Sequence, residues 1–254
     1  MTRYAGRKAV VIGGTRGTGL AIAKRLVEGG AEVLLTGRTL ENLRDAIAEL
    51  GSGAHVVSSD LADLTAVKAL APTVEDKLGH IDFLFVNAGI SLLTSIEQVT
   101  EEEYDRQFTV NTKGIYFTVQ ALLPLLHAGG SIVFTISVVG TTGTPGTCVH
   151  SMTKSALWSF AQALASELVG RDIRVNAVAP GLIDTAGCSV QDPSHEDHTG
   201  FRTLVETATP MRRHGSADEV ARAALFLAAD ATFTTGTKLA VDGGLAQYVA
   251  TPQQ

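Results

Sequence analysis

Short apolar runs alternate with longer amphipathic segments along the whole chain, and this alternation is the strongest constraint on its fold. The runs are Lys8–Ile12, Glu32–Thr36, Ala54–Ser58, Asp82–Val86, Ser131–Thr135, Ile173–Val178 and Lys238–Val241. Runs that are apolar at almost every position indicate strands buried on both faces, and hence a parallel sheet between helical layers. The sequence therefore predicts a single α/β domain over residues 1–254. It is a doubly wound parallel sheet of about seven strands with helices on both faces, and ligands bind at the carboxyl ends of the strands.

The segments between these runs have helical periodicity. Gly17–Glu28 and Leu40–Leu50 repeat apolar residues every three or four positions. The stripes are Leu20, Ala23, Leu26 and Val27 in the first segment and Leu43, Ile47 and Leu50 in the second. Pro72 interrupts the following helical segment, so we expect a kink or break there, because proline lacks an N–H and clashes with the preceding turn.

Two later helices, from about Glu101 to Leu126 and from His150 to Val169, are apolar around much of their circumference. That is more apolar surface than one sheet can cover, and it predicts a helix-bundle interface between copies of the chain. We expect a homodimer or homotetramer, with a monomer as the alternative.

Composition excludes several other classes of protein. The chain has 254 residues, 45% of them hydrophobic, and a net charge of −6. The absence of a long basic run argues against nucleic acid or an anionic membrane as a partner. We find neither the apolar core of a signal peptide nor a run of the ~20 apolar residues that a membrane helix needs. We therefore expect a cytoplasmic protein in which Cys148 and Cys188 are reduced thiols.

A polar stretch from about residue 185 to 210 follows the sixth strand, on the predicted ligand-binding edge. Long loops in compact domains are usually functional or disordered, so we interpret it as a lid over the substrate, with a solvated loop as the alternative. Within it, His195 and His198 share a helix face near Glu196. A metal site would need a third converging ligand, so no metal is predicted.

A glycine-rich segment joins the first strand to the first helix, and its candidate cofactor-binding residues are Gly13, Thr15, Arg16, Gly17, Thr18 and Gly19. Small residues allow backbone N–H groups to approach a diphosphate, and the helix N-terminus favours negative charge. The spacing is Gly-x-x-x-Gly-x-Gly rather than the commoner Gly-x-Gly-x-x-Gly. Glycines that only form a tight turn are the alternative.

The second strand lacks the carboxylate that would hold the ribose hydroxyls of NAD, since Gly37 occupies that place. Arg38 follows it, and Arg16 lies in the glycine loop. Two guanidinium groups suit a 2′-phosphate, so the sequence favours NADP(H), with two surface cations as the alternative. At the ends of the third and fourth strands we expect further contacts, from Asp60 and Leu61 near the adenine and from Asn87, Ala88 and Gly89 through close backbone approach.

Taken in this order, the motifs resemble those of the short-chain dehydrogenases/reductases over essentially the whole chain. Gly13–Gly19 resembles the glycine loop of that family, although Ile12 stands where a threonine is usual, and Asn87–Gly89 resembles its Asn-Ala-Gly element. Thr235–Gly236 and Val241–Gly244 resemble its closing strand. The resemblance implies a Rossmann fold. It also implies that the nicotinamide carboxamide contacts a segment that contains Pro180, Gly181, Ile183 and Thr185.

The resemblance also implies a catalytic tetrad. Asn111 matches the asparagine that supports a water in a proton relay, and Ser137 matches the serine that hydrogen-bonds the substrate oxygen. Lys154 matches the lysine that binds the ribose hydroxyls and lowers the pKa of the acid. The acid of the family is a tyrosine, whereas this chain has His150. Residues four apart share a helix face, so His150 and Lys154 can point into one cleft.

The histidine leaves three hypotheses open. The first is an NADP(H)-dependent ketone reductase or alcohol dehydrogenase in which His150, alone or through water, replaces the tyrosine. The second is a non-redox enzyme, for a cyclisation, isomerisation or dehydration. The third is a non-enzymatic NADP(H)-binding or assembly protein, and a catalytically impaired or engineered Tyr-to-His variant would have the same sequence. A polar residue that merely starts the helix is the structural alternative for His150.

Apolar residues predict the character of the substrate pocket. We expect it to be lined by Ile90, Ser91 and Leu92, by residues 138–148 and by the lid, with Trp158 either in the pocket, in the core or at an interface. This lining weakly favours a fairly apolar ketone, such as a polyketide-like molecule, over a highly charged substrate.

Overall fold

A computed structural model describes residues 2–185 and 207–247. It confirms the doubly wound sheet, with seven parallel strands in the order β3-β2-β1-β4-β5-β6-β9. The strands are β1 (Lys8–Ile12), β2 (Glu32–Gly37), β3 (Ala54–Ser58), β4 (Ile81–Val86), β5 (Leu126–Thr135), β6 (Arg174–Pro180) and β9 (Lys238–Val241). A small parallel pair, β7 (Ile183–Asp184) with β8 (Gly215–Ser216), was not predicted.

Helices cover both faces of the sheet. In chain order they are α1 (Gly17–Glu28), α2 (Leu40–Leu50), α3 (Leu64–Leu78), α4 (Glu101–Phe108), α5 (Ile115–Leu122), α6 (Cys148–Leu168) and α7 (Ala217–Leu225). One buried cluster contains apolar residues of α3, α5 and α6, and the other contains those of α1, α2 and α7. Strand β1 serves both, because Val10 and Ile12 face the first cluster while Ala9 and Val11 face the second.

Three local predictions were wrong. Pro72 does not break its helix, because α3 runs from Leu64 to Leu78 with the proline on its exposed side. Water can there satisfy the carbonyl that the missing N–H leaves unpaired. Ile47 does not join the buried stripe of α2, since its side chain is 51% exposed and Ala46 is buried instead. Ala46 belongs to the buried cluster that also contains residues of α1 and α7.

The predicted helix from Glu101 to Leu126 is also not one regular α-helix. A π-helical segment, Thr109–Gly114, separates α4 from α5, and a 3-10 turn, Leu123–Leu125, follows α5. Strand β5 then begins at Leu126, earlier than predicted, and a register shift opposite Ile81 and Phe83 accommodates the extra residues. The prediction missed this start because the Ala-Gly-Gly sequence before Ser131 has no β-strand pattern.

None of the helices within the described ranges combines the length and the apolar character that crossing a bilayer requires. The predicted lid lies almost entirely outside the described residues, as do Cys188, His195 and His198. Cys148 begins α6 as an exposed free thiol.

Candidate active site

A cleft opens at the carboxyl ends of β1 to β4, where the topology predicted a ligand site. Its volume is about 300 Å³. Nine of the predicted cofactor residues line it: Gly13, Thr15, Arg16, Arg38, Asp60, Leu61, Asn87, Ala88 and Gly89. Parallel strands bring their carboxyl ends to one edge, so residues that are far apart in sequence converge there.

The glycine loop folds so closely on itself that side chains cannot replace its glycines. A Cβ on Gly19 would lie 2.1 Å from the Gly13 carbonyl oxygen, and one on Gly13 would lie 2.6 Å from Ala88 Cα. The Asn87 amide holds the loop by donating to the Gly13 carbonyl oxygen at 3.1 Å. This bare backbone at the start of α1 is the cradle that a diphosphate requires.

Two buried polar atoms in the cleft have no hydrogen-bond partner among the described residues: the side-chain oxygens of Asn87 and Ser59. Both residues line the cleft. Buried polar groups are normally satisfied, so these atoms fit a site that a polar ligand completes. Ser59 was missed by the sequence analysis, although its position between β3 and Asp60 could have indicated it.

At Gly37, where β2 ends beside the cleft, the structure leaves no room for a carboxylate. A Cβ on Gly37 would lie 2.4 Å from Thr15 Cγ2, so an aspartate there would displace the threonine. Arg16 and Arg38 are exposed on the rim of the same cleft. The geometry therefore offers two cations and no anion next to Gly37.

The segment after β6 also reaches the glycine loop. Thr185 lies beside Gly17, whose Cβ position is 3.3 Å from the threonine Cβ. Gly181 packs closely on Asp242 and donates its N–H to the Val241 carbonyl oxygen at 3.0 Å, while Ile183 pairs with Gly215. Pro180 ends β6 at the same edge of the sheet. Of this set, Thr185 is the residue that the described contacts place against the loop.

Asn111 is fully buried in the π-helical segment and connects three elements. Its Oδ1 accepts from the Ile90 N–H at 2.8 Å, and its Nδ2 donates to the Ile90 carbonyl oxygen at 2.8 Å and to Thr153 Oγ1 at 3.1 Å. Thr153 in turn donates to the His150 carbonyl oxygen at 2.8 Å. Sequence reasoning missed Thr153, which ties Asn111 to the helix that carries His150.

Lys154 lies close to Asn111. Its buried ammonium donates to the Thr135 carbonyl oxygen at 3.1 Å. A Cβ on Gly89 would lie 3.3 Å from Lys154 Nζ and 3.2 Å from Asn111 Oδ1, so all three meet at the floor of the cleft. Ser137 follows β5 and caps a short 3-10 turn, where its hydroxyl accepts from the Val139 N–H at 3.3 Å.

Burial lowers the pKa values of both His150 and Lys154. Burial first, and the Lys154 charge second, lower the pKa of His150 to about 4, while the Ile90 main chain opposes this shift. Burial also lowers the pKa of Lys154 to about 8. At neutral pH the imidazole is therefore neutral and the ammonium is charged. His150 Nδ1 is buried without a hydrogen-bond partner among the described residues.

The residues predicted to line the substrate pocket lie partly in the cleft and partly in the core. Ile90 lines the cleft, and Val138 is buried in the core cluster on which Ile90 packs. Trp158 packs against that core with Lys238 over its ring, 5.7 Å from the centroid, which accounts for it as a core residue.

This combination of parallel sheet, glycine loop and polar cleft defines a Rossmann-type nucleotide-binding fold. A family model described as enoyl-(acyl carrier protein) reductase matches residues 13–246. The chain is 37% identical to "Oxidoreductase asL5" of Sarocladium schorii over 96% of this chain and 98% of that protein. It is 33% identical to the 3-oxoacyl-[acyl-carrier-protein] reductase FabG of Thermotoga maritima over 96% of this chain and 99% of that protein.

Solved structures agree. A short chain dehydrogenase from Burkholderia cenocepacia in complex with NADP superposes with a TM-score of 0.86 at 33% identity, covering 96% of this chain and 99% of that one. Levodione reductase superposes with a TM-score of 0.90 at 27% identity, covering 97% and 100%. The chain belongs to the short-chain dehydrogenase/reductase family and is an oxidoreductase of that family.

Proposed function

We propose that this protein interconverts a ketone and an alcohol with NADP(H), and that His150 takes the place of the family's tyrosine. The observation that carries the proposal is the connected group at the floor of the cleft. Asn111 donates to Thr153, which donates to the main-chain carbonyl oxygen of His150, and Lys154 lies beside Asn111 at Gly89. The group contains Asn111 and Lys154 of the proposed tetrad, and Ser137 follows β5 at the same edge of the sheet.

The cofactor assignment rests on the cleft itself. The bare glycine loop and the unpartnered oxygens of Asn87 and Ser59 fit a dinucleotide. Arg16 and Arg38 at the rim, with Gly37 rather than a carboxylate at the end of β2, support NADP(H) over NAD(H), since guanidinium groups bind a 2′-phosphate through charge-assisted hydrogen bonds. When bound, the cofactor supplies or accepts the hydride, and the protein supplies position and proton.

His150 and its neighbours handle that proton. A neutral imidazole can donate from one ring nitrogen only if the other nitrogen is reprotonated, because an imidazolate is too basic to persist. The unpartnered Nδ1 is such a second nitrogen. Lys154, whose pKa of about 8 lies close to neutrality, is the residue that we propose as the proton source, directly or through water. Ser137 would orient the substrate oxygen.

A second candidate function is a non-redox reaction, a cyclisation, isomerisation or dehydration in which the cofactor serves as a scaffold. The observation that favours it is the low pKa of His150, which makes the residue a poor proton donor at neutral pH. In that role the neutral imidazole would act as an acceptor.

The test is NADPH oxidation, and NADP+ reduction in reverse, with a panel that includes levodione, a 3-oxoacyl thioester and simple aromatic ketones. The natural protein is compared with His150→Tyr, which restores the family acid, and His150→Phe, which removes the proton donor. NADPH and NADH affinities of all three variants, and of Arg38→Ala, are measured separately by fluorescence. We expect Arg38→Ala to lose roughly 10-fold or more in NADPH affinity with little change for NADH.

Turnover by the natural protein that falls by roughly 10²–10⁴-fold in His150→Phe supports a redox role for His150. Turnover only in His150→Tyr would refute that role and favour the non-redox candidate. NADPH binding without preference over NADH would refute the cofactor assignment alone. The substrate class, a fairly apolar ketone, is proposed from Ile90 and Val138 near the cleft. The cytoplasmic location, the lid and the homodimer or homotetramer stay predictions.

A further inference from the structure

A second group of polar side chains lies at the opposite, amino-terminal edge of the sheet. His80 precedes β4, Asp82 lies within it and His127 is near the start of β5. One potential ligand atom of each residue lies within 4.8 Å of those of the other two. Among residues 2–185 and 207–247, this is the group of histidine, cysteine or carboxylate side chains close enough to share a metal ion. The sequence analysis considered only His195 and His198 as metal ligands and predicted no metal; it did not consider His80, Asp82 and His127, which are separated by up to 47 positions.

Asp82 is the most buried residue of the group, and hydrogen bonds hold its carboxylate in place. Its side chain is 4% exposed, and its carboxylate accepts from the Arg7 guanidinium at 2.7 Å through Oδ1 and from the Lys8 backbone N–H at 2.7 Å through Oδ2. Burial would raise the pKa of this carboxyl, but these donors outweigh burial and hold the pKa below its usual range. The carboxylate is therefore charged and already oriented, as the carboxylates that bind metals are.

The contacts of His127 favour the tautomer that a metal ligand requires. Its Nδ1 faces the Ala128 carbonyl oxygen, which can only accept, so in a neutral ring the proton lies on Nδ1. The lone pair of Nε2 then faces Asp82 Oδ1 at 3.1 Å. Two acceptors at this distance need a cation between them, either a proton or a metal ion. In metal-binding histidines, the ring nitrogen that does not bind the metal usually donates its N–H to an acceptor such as a backbone carbonyl.

The distances suit one small metal ion. Two ligands about 2.0–2.1 Å from a tetrahedral Zn²⁺ are ~3.3 Å apart. The His127 and Asp82 atoms are 3.1 Å apart, and His80 Nε2 is 3.8 Å from Asp82 Oδ2, too far for a hydrogen bond. Two imidazoles and one carboxylate suit Zn²⁺ or Co²⁺ rather than Mg²⁺ or Ca²⁺, which prefer oxygen. The Arg7 side chain is 53% exposed and must leave Asp82 Oδ1 when a cation binds there, while the Lys8 backbone N–H still holds Oδ2.

We propose that His80, Asp82 and His127 bind one divalent transition-metal ion, with water in the remaining position. The ion joins the amino-terminal ends of β4 and β5. Because the cofactor cleft lies at the other ends of these strands, the ion stabilises the fold and takes no part in the chemistry. Metal that binds only the folded state adds stability in proportion to the logarithm of its concentration above Kd.

The test is a titration of the full chain, expressed without a polyhistidine tag, with Co²⁺ and Zn²⁺ at pH 8, since ligation needs neutral imidazoles. The natural protein is compared with the double variant His80→Asn/His127→Asn, whose side chains are both partly exposed. His55→Asn is the matched control, because His55 is also a half-exposed histidine beside a carboxylate, that of Glu32 at 3.4 Å. Binding is followed by calorimetry and by the visible absorption of Co²⁺.

We expect the natural protein and His55→Asn to bind one equivalent that the double variant loses. Zn²⁺ should raise Tm for the first two proteins and leave the third unchanged. Circular dichroism and NADPH binding verify that the double variant is folded. Equal binding by all three proteins, or no binding by the natural protein, would overturn the proposal. The cofactor assays do not depend on this edge of the sheet, so failure here leaves the proposed function standing.

Discussion

Burial of His150 should make the folded protein lose stability as the pH falls through the range in which this histidine titrates in the unfolded chain. Its pKa is lowered from 6.5 to about 4 on folding. The unfolded chain therefore takes up a proton below pH 6.5 that the native state refuses until about pH 4. A depressed histidine pKa thus costs stability at low pH and nothing well above pH 7.

The magnitude follows from linkage. One pKa unit corresponds to about 1.36 kcal/mol, so the difference costs about 2 kcal/mol at pH 5 and close to zero at pH 7. Lys154 adds no slope in this window. Its pKa of about 8 keeps it protonated in both states below pH 7, and its own cost disappears only as the pH rises above 8.

The assay is urea unfolding without cofactor at pH 7 and pH 5, for the natural protein and for His150→Gln, which cannot titrate. We expect the natural protein to lose about 2 kcal/mol more than the variant between the two pH values. Lys154→Met is the second variant. It removes the charge that is the second cause of the shift, so its extra loss should be smaller than that of the natural protein.

An NMR titration of the His150 ring gives the native pKa directly, with a midpoint expected near pH 4. Equal losses for the natural protein and His150→Gln, together with a ring that titrates near 6.5, would refute the argument. That result would mean that the imidazole is solvated in the native state, and the proton relay built on a neutral His150 would fail with it.

Two further predictions concern the cleft. Gly37→Asp, the change that would be made to favour NAD, should lower Tm and fail to improve NADH affinity, because its Cβ meets Thr15 at 2.4 Å. The double variant Thr15→Gly/Gly37→Asp should recover Tm and gain NADH affinity. A single Gly37→Asp variant that binds NADH well would contradict this prediction. Asn111→Leu leaves the Ile90 N–H and carbonyl unpaired, so urea unfolding should show a loss of about 2–4 kcal/mol. An unchanged unfolding midpoint would contradict this prediction.

Features set by local chemistry could be predicted from the sequence, whereas features set by neighbours could not. The strands could be predicted because burial on both faces requires unbroken apolar runs. The glycine loop could be predicted because only glycine fits where a Cβ atom would lie 2.1 Å from a backbone oxygen. The passage of α3 through Pro72 and the exposure of Ile47 depended on which side of each helix met the sheet, and periodicity alone does not settle this.

The sequence by itself determined the seven-stranded α/β fold and the edge of the sheet where the glycine loop, Asp60 and Asn87 line one cleft. Only the tertiary structure decided the protonation of His150, because burial and the nearby Lys154 charge set its pKa. It also decided that Thr153 ties Asn111 to α6, and that His80, Asp82 and His127 meet. The reason is common to all three: pKa values, hydrogen bonds and ligand sets depend on distances between residues that the chain brings together only when it folds.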